Sequence, residues 1–407
     1  MPKRALWLSV NILLALALAL AGCSRSGQPE TPRFQGTLTV LYAPGLAGQP
    51  FRGPDATWLQ DAARAYEEAH PGIRVQLVAK SSATEVEELL RSGGVQADLI
   101  FGRYLPEAAS RLAEVGALVP KDSLAANLPG AVSAFQGRGL PMLVDAQVLA
   151  LNVKTFQSAG VALPKEGRWT LAEFEDHLKG LSTSNHSALG FFCLPGYHEW
   201  WPFAGGVVQA DLTVAPDLQA GLARLQEYRS RGWLHPDTAK VGPEAMWGLF
   251  ASGSGPAVLP VSTWALPLLK APPYQVDLAV AGFPDGLTTG YVYGMMISAQ
   301  TDSARARAAA DLALALASPA NQARLARETG LLPASTKAPN PFAGDSLMAP
   351  VPGLVTKVLP LPTAAAWGQA EPQLARGLVL ALVGGETPAA ATANIKAILT
   401  KATAPGN

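Results

Sequence analysis

The sequence is short of the side chains that carry most metal and nucleophile chemistry. It holds 2 cysteines and 5 histidines among 407 residues. No CxxC or HExxH occurs and the histidines are scattered, so neither a dedicated metal site nor a hydrolytic triad is advertised. An excess of one charge is also lacking: 31 Lys and Arg balance 31 Asp and Glu. With no basic patch interleaved with aromatics, neither nucleic acid nor an acidic membrane surface is implied as a partner. The glycines of GSGPA, from Gly253, are not followed by G-K-[ST], which leaves a phosphate cradle weakly supported. No nucleotide, metal or other cofactor is expected. Long apolar runs are missing too, with one exception at the N-terminus.

That exception runs from Ala5 to Ala21, apolar apart from Ser9 and Asn11, behind Lys3 and Arg4. It is short for a membrane crossing and ends in small residues. Leu20-Ala21-Gly22-Cys23 resembles a bacterial lipobox. The resemblance implies a leader over 1–22 and Cys23 as the first mature residue, carrying a thioether-linked diacylglycerol. Each buried methylene adds roughly 0.8 kcal/mol, so several chains hold a soluble domain at a membrane. An uncleaved anchor is the alternative. Residues 23–35, polar and broken by Pro29 and Pro32, suit a flexible tether. The lipobox resemblance implies a place in the cell envelope, facing periplasm or exterior, and by the sorting rule of such lipoproteins Ser24 beside the cysteine favours an outer membrane where there are two. With Cys23 acylated, Cys193 in FFCLP has no disulfide partner and reads as a small buried hydrophobe.

Beyond the tether, length suffices for two cored domains. GTLTVLY, IRVQLVA and ADLIFG read as strands. Helices are expected over 58–70, in SSATEVEELLRSGG, where Ser82 and Glu85 fit a cap, and in PEAASRLAEVG. This repetition argues for an open α/β sheet with ligand loops at strand ends. LPMLVDAQVLALN places two apolar runs around Asp145. After Asn152 the pattern predicts a second, mostly helical lobe, with a capping box at Thr170 and Glu173. VDLAVAGFP and YVYGMMISAQ read as strands returning to the first lobe, and GLLPAS as a further crossing. The expected lobes are 36–147 with 283–330, and 148–282 with 331–407.

The strongest local oddity is GYHEWWPFAGG. Aromatic faces with polar rims accept the C–H faces of sugar rings while neighbouring side chains bond the hydroxyls. Tyr197 and Trp200 are candidates here, with Trp264, Trp367, Tyr291 and Tyr293 beside small residues elsewhere. Trp201, Trp233 and Trp247 read as core. Hydroxyl partners would be Arg103 after its strand, Asp145 at the hinge and Glu199 among the aromatics; Arg52 and Asp55 are weaker candidates. A glycosidase would need two carboxylates across one bond, and Asp145 with Glu199 is the pair to nominate. Binding without catalysis is the preferred reading.

In order and spacing, these segments resemble the extracellular solute-binding proteins of ABC transporters, in the family 1 group that includes maltose-binding lipoproteins. The resemblance covers YEEAHPGIRVQLV, ADLIFG, LPMLVDAQVLALNVKTFQSAG, WTLAEFEDHLKGL and LFASGSGPAVLPVSTW. It continues in YGMMISAQTDSARARAAADLALALASPANQARLARETGLLPA. Leu149 and Leu151 replace the tyrosines usual there, and Pro256 and Val258 the usual Ala and Met. The resemblance implies a type II two-lobed α/β fold with crossing segments at a hinge. It also implies a monomer that closes on a small solute, expected to be a sugar, and delivers it to a membrane permease. Trp264, Trp367, and Tyr197 or Trp200 fall where the family presents stacking rings, and Arg103 and Asp145 where residues face the cleft. The Gly/Pro-rich loop 44–54 lacks the family's usual ligands. A polyamine, polyol or glycerol phosphate, or a sensing rather than transporting role, are the alternatives.

Overall fold

The structure, a computed structural model, describes residues 34–43, 57–183, 187–300 and 302–404. The leader, Cys23, most of the tether, and Arg52 and Asp55 lie outside the described residues.

The first lobe is built on β1 (Gly36–Tyr42), α1 (Thr57–Ala69), β2 (Ile73–Ala79), α2 (Ala83–Ser92) and β3 (Leu99–Gly102). In α1 the buried residues are Trp58, Leu59, Ala63 and Tyr66, one stripe at helical spacing. Ser82 begins α2 by accepting from the Glu85 N–H at 3.2 Å, and Gly93, at φ 79°, ends it. The expected helix in PEAASRLAEVG is only a 3-10 turn over Pro106–Arg111.

Two wholly buried strands follow, β4 (Gly139–Val144) and β5 (Gln147–Asn152), separated by Asp145 and Ala146. They belong to different sheets. β5 is the centre of an antiparallel three-stranded sheet, flanked by β6 (Val258–Ser262) and β7 (Leu278–Ala281). The second lobe is therefore α/β rather than mostly helical, and VDLAVAGFP stays in it. Five helices sit between β5 and β7. They are α3 (Val153–Ser158), α4 (Leu171–Leu181), α5 (Leu218–Ser230), α6 (Pro243–Ser252) and α7 (Leu266–Lys270). α4 carries the expected capping box between Thr170 and Glu173.

β8 (Leu287–Gly290) leads directly to β9 (Val292–Ile297), which lies between β3 and β4 in the first sheet. After α8 (Ser303–Leu316) and α9 (Pro319–Thr329), β10 (Leu332–Pro333) pairs with β4 and completes the order β10-β4-β9-β3-β1-β2. GLLPAS thus remains with the larger sheet, on the other side of the boundary expected at 330. The short α10 (Val351–Leu354) precedes β11 (Lys357–Pro360), which runs parallel to β8 as a separate ribbon. α11 (Ala365–Val383) and α12 (Pro388–Ala402) finish the chain. Among the described residues no helix is long and apolar enough to cross a membrane.

The crossings are tied by main-chain hydrogen bonds. The Asp145 N–H donates to Tyr291 O at 2.9 Å, and the Thr263 N–H to Ala146 O at 2.9 Å. Gln147 is locked to the ribbon: its Oε1 accepts from Thr289 N at 3.0 Å and from the Thr288 and Thr289 hydroxyls. Gly290 is required by contact, since a Cβ there would lie 1.7 Å from Asp145 O.

Candidate functional site

One group of side chains gathers around Tyr291, the residue between β8 and β9. Arg103, just after β3, places its guanidinium 4.3 Å from the Tyr291 ring centroid, and Trp367 Nε1 on α11 donates to Tyr291 Oη at 3.4 Å. Trp367 meets Trp201 at 6.0 Å between centroids and 85°, and His198 at 6.1 Å. His198 Nε2 lies 2.7 Å from Glu371 Oε1, which also accepts from Gly196 N at 2.7 Å. Glu371 lies one turn beyond Trp367, so α11 presents both on one face. Two elements of the first sheet and two of the second lobe thus share one polar and aromatic seam.

Arg103 is held by Glu87 on α2, with Nη2 at 2.6 Å and Nε at 2.8 Å from Oε1. Burial opposes the charge of Arg103, yet Glu87 and the phenols of Tyr293 and Tyr291 keep its pKa raised. Burial likewise opposes the Glu371 charge, but the bond to His198 holds that carboxyl below its ordinary value. The Tyr291 phenol is pushed up by burial.

Glu199 is different. Burial first, then the charge of Asp145, push its carboxyl up to about 8, against partial relief from its own main chain and the Ser262 side chain. Its Oε2 is buried with no hydrogen-bond partner. At neutral pH Glu199 therefore favours its protonated form, chiefly because it is buried.

The second group is partly covered. Trp264, two residues after β6, is itself buried at 8% exposure and meets Trp247 on α6 at 6.5 Å and 70°, and Trp247 meets Tyr274 at 5.9 Å and 87°. Tyr197 packs edge-on against Phe192 at 5.1 Å. Burial raises the phenol pKa of Tyr197 and of Tyr274, followed at Tyr197 by Glu199 and then Glu244, and at Tyr274 by Glu244 at the start of α6. Tyr197, Trp247 and Tyr274 are half-buried.

Several sequence expectations are redistributed by this arrangement. Arg103, Tyr291 and Trp367 come together, and Asp145 comes near Glu199. Trp200 does not join them: it is fully buried and stacked on Phe191 at 5.3 Å, in the core of the second lobe. Tyr293 lies inside the first sheet, opposite Leu143 and also fully buried. Trp247, read as core, is half-exposed beside Trp264. Glu87, His198, Glu371 and Tyr274 were not expected. Glu87 had a signal: helical spacing sets it with Val86 and Leu90 on the buried face of α2, where an unpaired carboxylate is costly. Among the described residues no cluster of His, Cys, Asp and Glu could hold a metal.

Comparison with known proteins follows the same lines. The structure of cyclic alpha-maltosyl-1,6-maltose binding protein from Arthrobacter globiformis is similar over 90% of this chain and 100% of its own, at 18% identity and a TM-score of 0.69. The sugar-binding protein MalE of Xanthomonas citri is similar over 90% and 98%, at 20% identity and a TM-score of 0.69. An extracellular solute-binding protein of Staphylococcus aureus, solved with maltose, is similar over 91% and 98%, at 17% identity and a TM-score of 0.69. Among curated proteins none matches the sequence. At such identities the likeness establishes the two-lobed α/β fold. The sequence profile of the bacterial extracellular solute-binding proteins matches residues 61–350, well over half of the chain. The chain is a member of that family, the bacterial extracellular solute-binding proteins.

Proposed function

We propose that the chain is the capture component of an ABC importer. It takes a sugar or short oligosaccharide between its lobes and hands it to a membrane permease. ATP would be used by that partner and not by this chain. The carrying observation is the seam at Tyr291, where Arg103 from the first sheet meets Trp367, His198 and Glu371 from the second lobe. The Trp247–Trp264–Tyr274 group and Tyr197 add aromatic rings, with Asp145 and Glu199 as polar partners. The similar structures that carry maltose or maltosides in their names support a carbohydrate.

Strand pairing supports lobes divided at Asp145–Ala146, at Tyr291 and at the β11 ribbon, with 331–356 in the first lobe. Ligand contacts to both lobes then favour closure, because the closed form binds more tightly. The protein acts as a monomer, tethered through acylated Cys23 to a membrane and facing periplasm or exterior. A second reading rests on the buried Asp145 and Glu199: a cationic solute such as a polyamine would favour the ionised form of Glu199 and pair with both carboxylates. A thermal-shift screen over mono- and oligosaccharides, polyols and polyamines decides between them. A sugar that raises the melting temperature, with polyamines inert, supports the first; the reverse pattern replaces it.

A further inference from the structure

α11, the longest described helix, does not supply its own N-terminal cap. Ala364 stands at the cap position with extended backbone, φ −60° and ψ 149°, and has no side-chain oxygen to offer. Helices such as α2, α4 and α9 begin with Ser82, Thr170 and Ser318, whose hydroxyls accept first-turn amides. At α11 the Ala365 N–H donates instead to Glu107 Oε1 at 2.5 Å. Glu107 belongs to the turn that follows β3 of the larger sheet, whereas α11 packs through Trp367, Leu374 and Leu378 into the second apolar cluster. A carboxylate at a helix start satisfies an orphan amide and meets the positive end of the helix dipole.

We propose that Glu107 is an interlobe cap. It is a positioning residue that acts through the Ala365 N–H on the first turns of α11, which carry Trp367 and Glu371, and so biases the lobes toward closure before any solute arrives. This rests on the reading of the chain as two movable halves around a solute cleft. The attraction is exposed and therefore screened by salt. Its loss should change the ratio of closed to open molecules about fivefold, the equilibrium equivalent of a typical N-cap.

The test is a spin-label distance distribution between Glu88→Cys and Lys396→Cys, one exposed position on each lobe. It is recorded without solute in the full chain carrying Cys23→Ser. The expected result is a short distance whose population falls about fivefold in Glu107→Ala. About 0.5 M salt should open the parent and leave Glu107→Ala unchanged. Adding Ala364→Ser to Glu107→Ala gives α11 a cap of its own, so the melting temperature returns while the short distance does not. Superimposable distributions for parent and Glu107→Ala overturn the proposal, as does full recovery of the short distance in the double variant. No sugar is needed, so a salt-dependent distance in a chain that binds no sugar would remove the carbohydrate reading and leave the cap standing.

Discussion

The Asp145 N–H donates to Tyr291 O at 2.9 Å, which joins the first two crossings of the hinge through a single main-chain bond. Beside it Gly290 passes so near Asp145 that no side chain fits. Gly290→Ala should therefore force the crossings apart and cost about 3 kcal/mol, in the range of other overpacking substitutions. Differential scanning calorimetry checks this: the melting temperature should fall by several degrees. An unchanged melting curve would mean that the two crossings are not in contact.

Glu199 makes stability depend on pH in an unusual direction. Its carboxyl rises from an ordinary 4.5 to about 8 on folding, so the folded chain binds the proton more tightly than the unfolded chain. Stability from this group is full below pH 4.5, declines as pH rises toward 8, and is level above that. At about 1.4 kcal/mol per tenfold change the span is several kcal/mol. Glu199→Gln, which mimics the protonated acid, should flatten the decline and raise the melting temperature above pH 8. Melting curves from pH 4 to 9 on both proteins check it.

Arg103 and Glu87 form a pair whose side chains are only 14% and 9% exposed. Removing one partner leaves a charge with little access to water. Glu87→Leu should thus cost about 3–5 kcal/mol, and adding Arg103→Met should recover most of the loss. Urea denaturation of the two single variants and the double variant measures the coupling. Additive losses would show that the pair contributes no interaction of its own.

The two aromatic groups each give a prediction. Trp264→Ala, at a ring only 8% exposed, should weaken sugar binding by about tenfold and cost about 3–5 kcal/mol in stability. Trp367→Ala empties a site among Trp201, His198 and Tyr291, and should cost about 3–5 kcal/mol in stability as well. Paired calorimetric titrations and melting curves separate the two effects.

Much of the scaffold was readable from periodicity. α1, α2 and α4 have their expected apolar stripes, α2 and α4 their expected caps, and the runs on either side of Asp145 are β4 and β5. What periodicity cannot show is which strand a short apolar run will join. VDLAVAGFP and GLLPAS are equally compatible with either sheet; their places follow from pairings with Leu149 and Val144, far away in sequence. The same limit applies to the rings. Trp200 and Trp201 are neighbours in sequence, yet Trp200 stacks into the core on Phe191 while Trp201 reaches Trp367. Both rings are buried; composition marked the loop as aromatic, but tertiary packing decided which ring meets Phe191 and which meets Trp367. His198 and Glu371 escaped notice because a lone histidine and a helical glutamate carry no signal until the chain brings them to 2.7 Å.

Isothermal titration calorimetry of the purified chain with maltose-type mono- and oligosaccharides tests the central claim most directly. The account predicts one saturable site for at least one sugar, with affinity reduced in Trp264→Ala. No heat from any sugar, together with a clean titration by a polyamine, would contradict it.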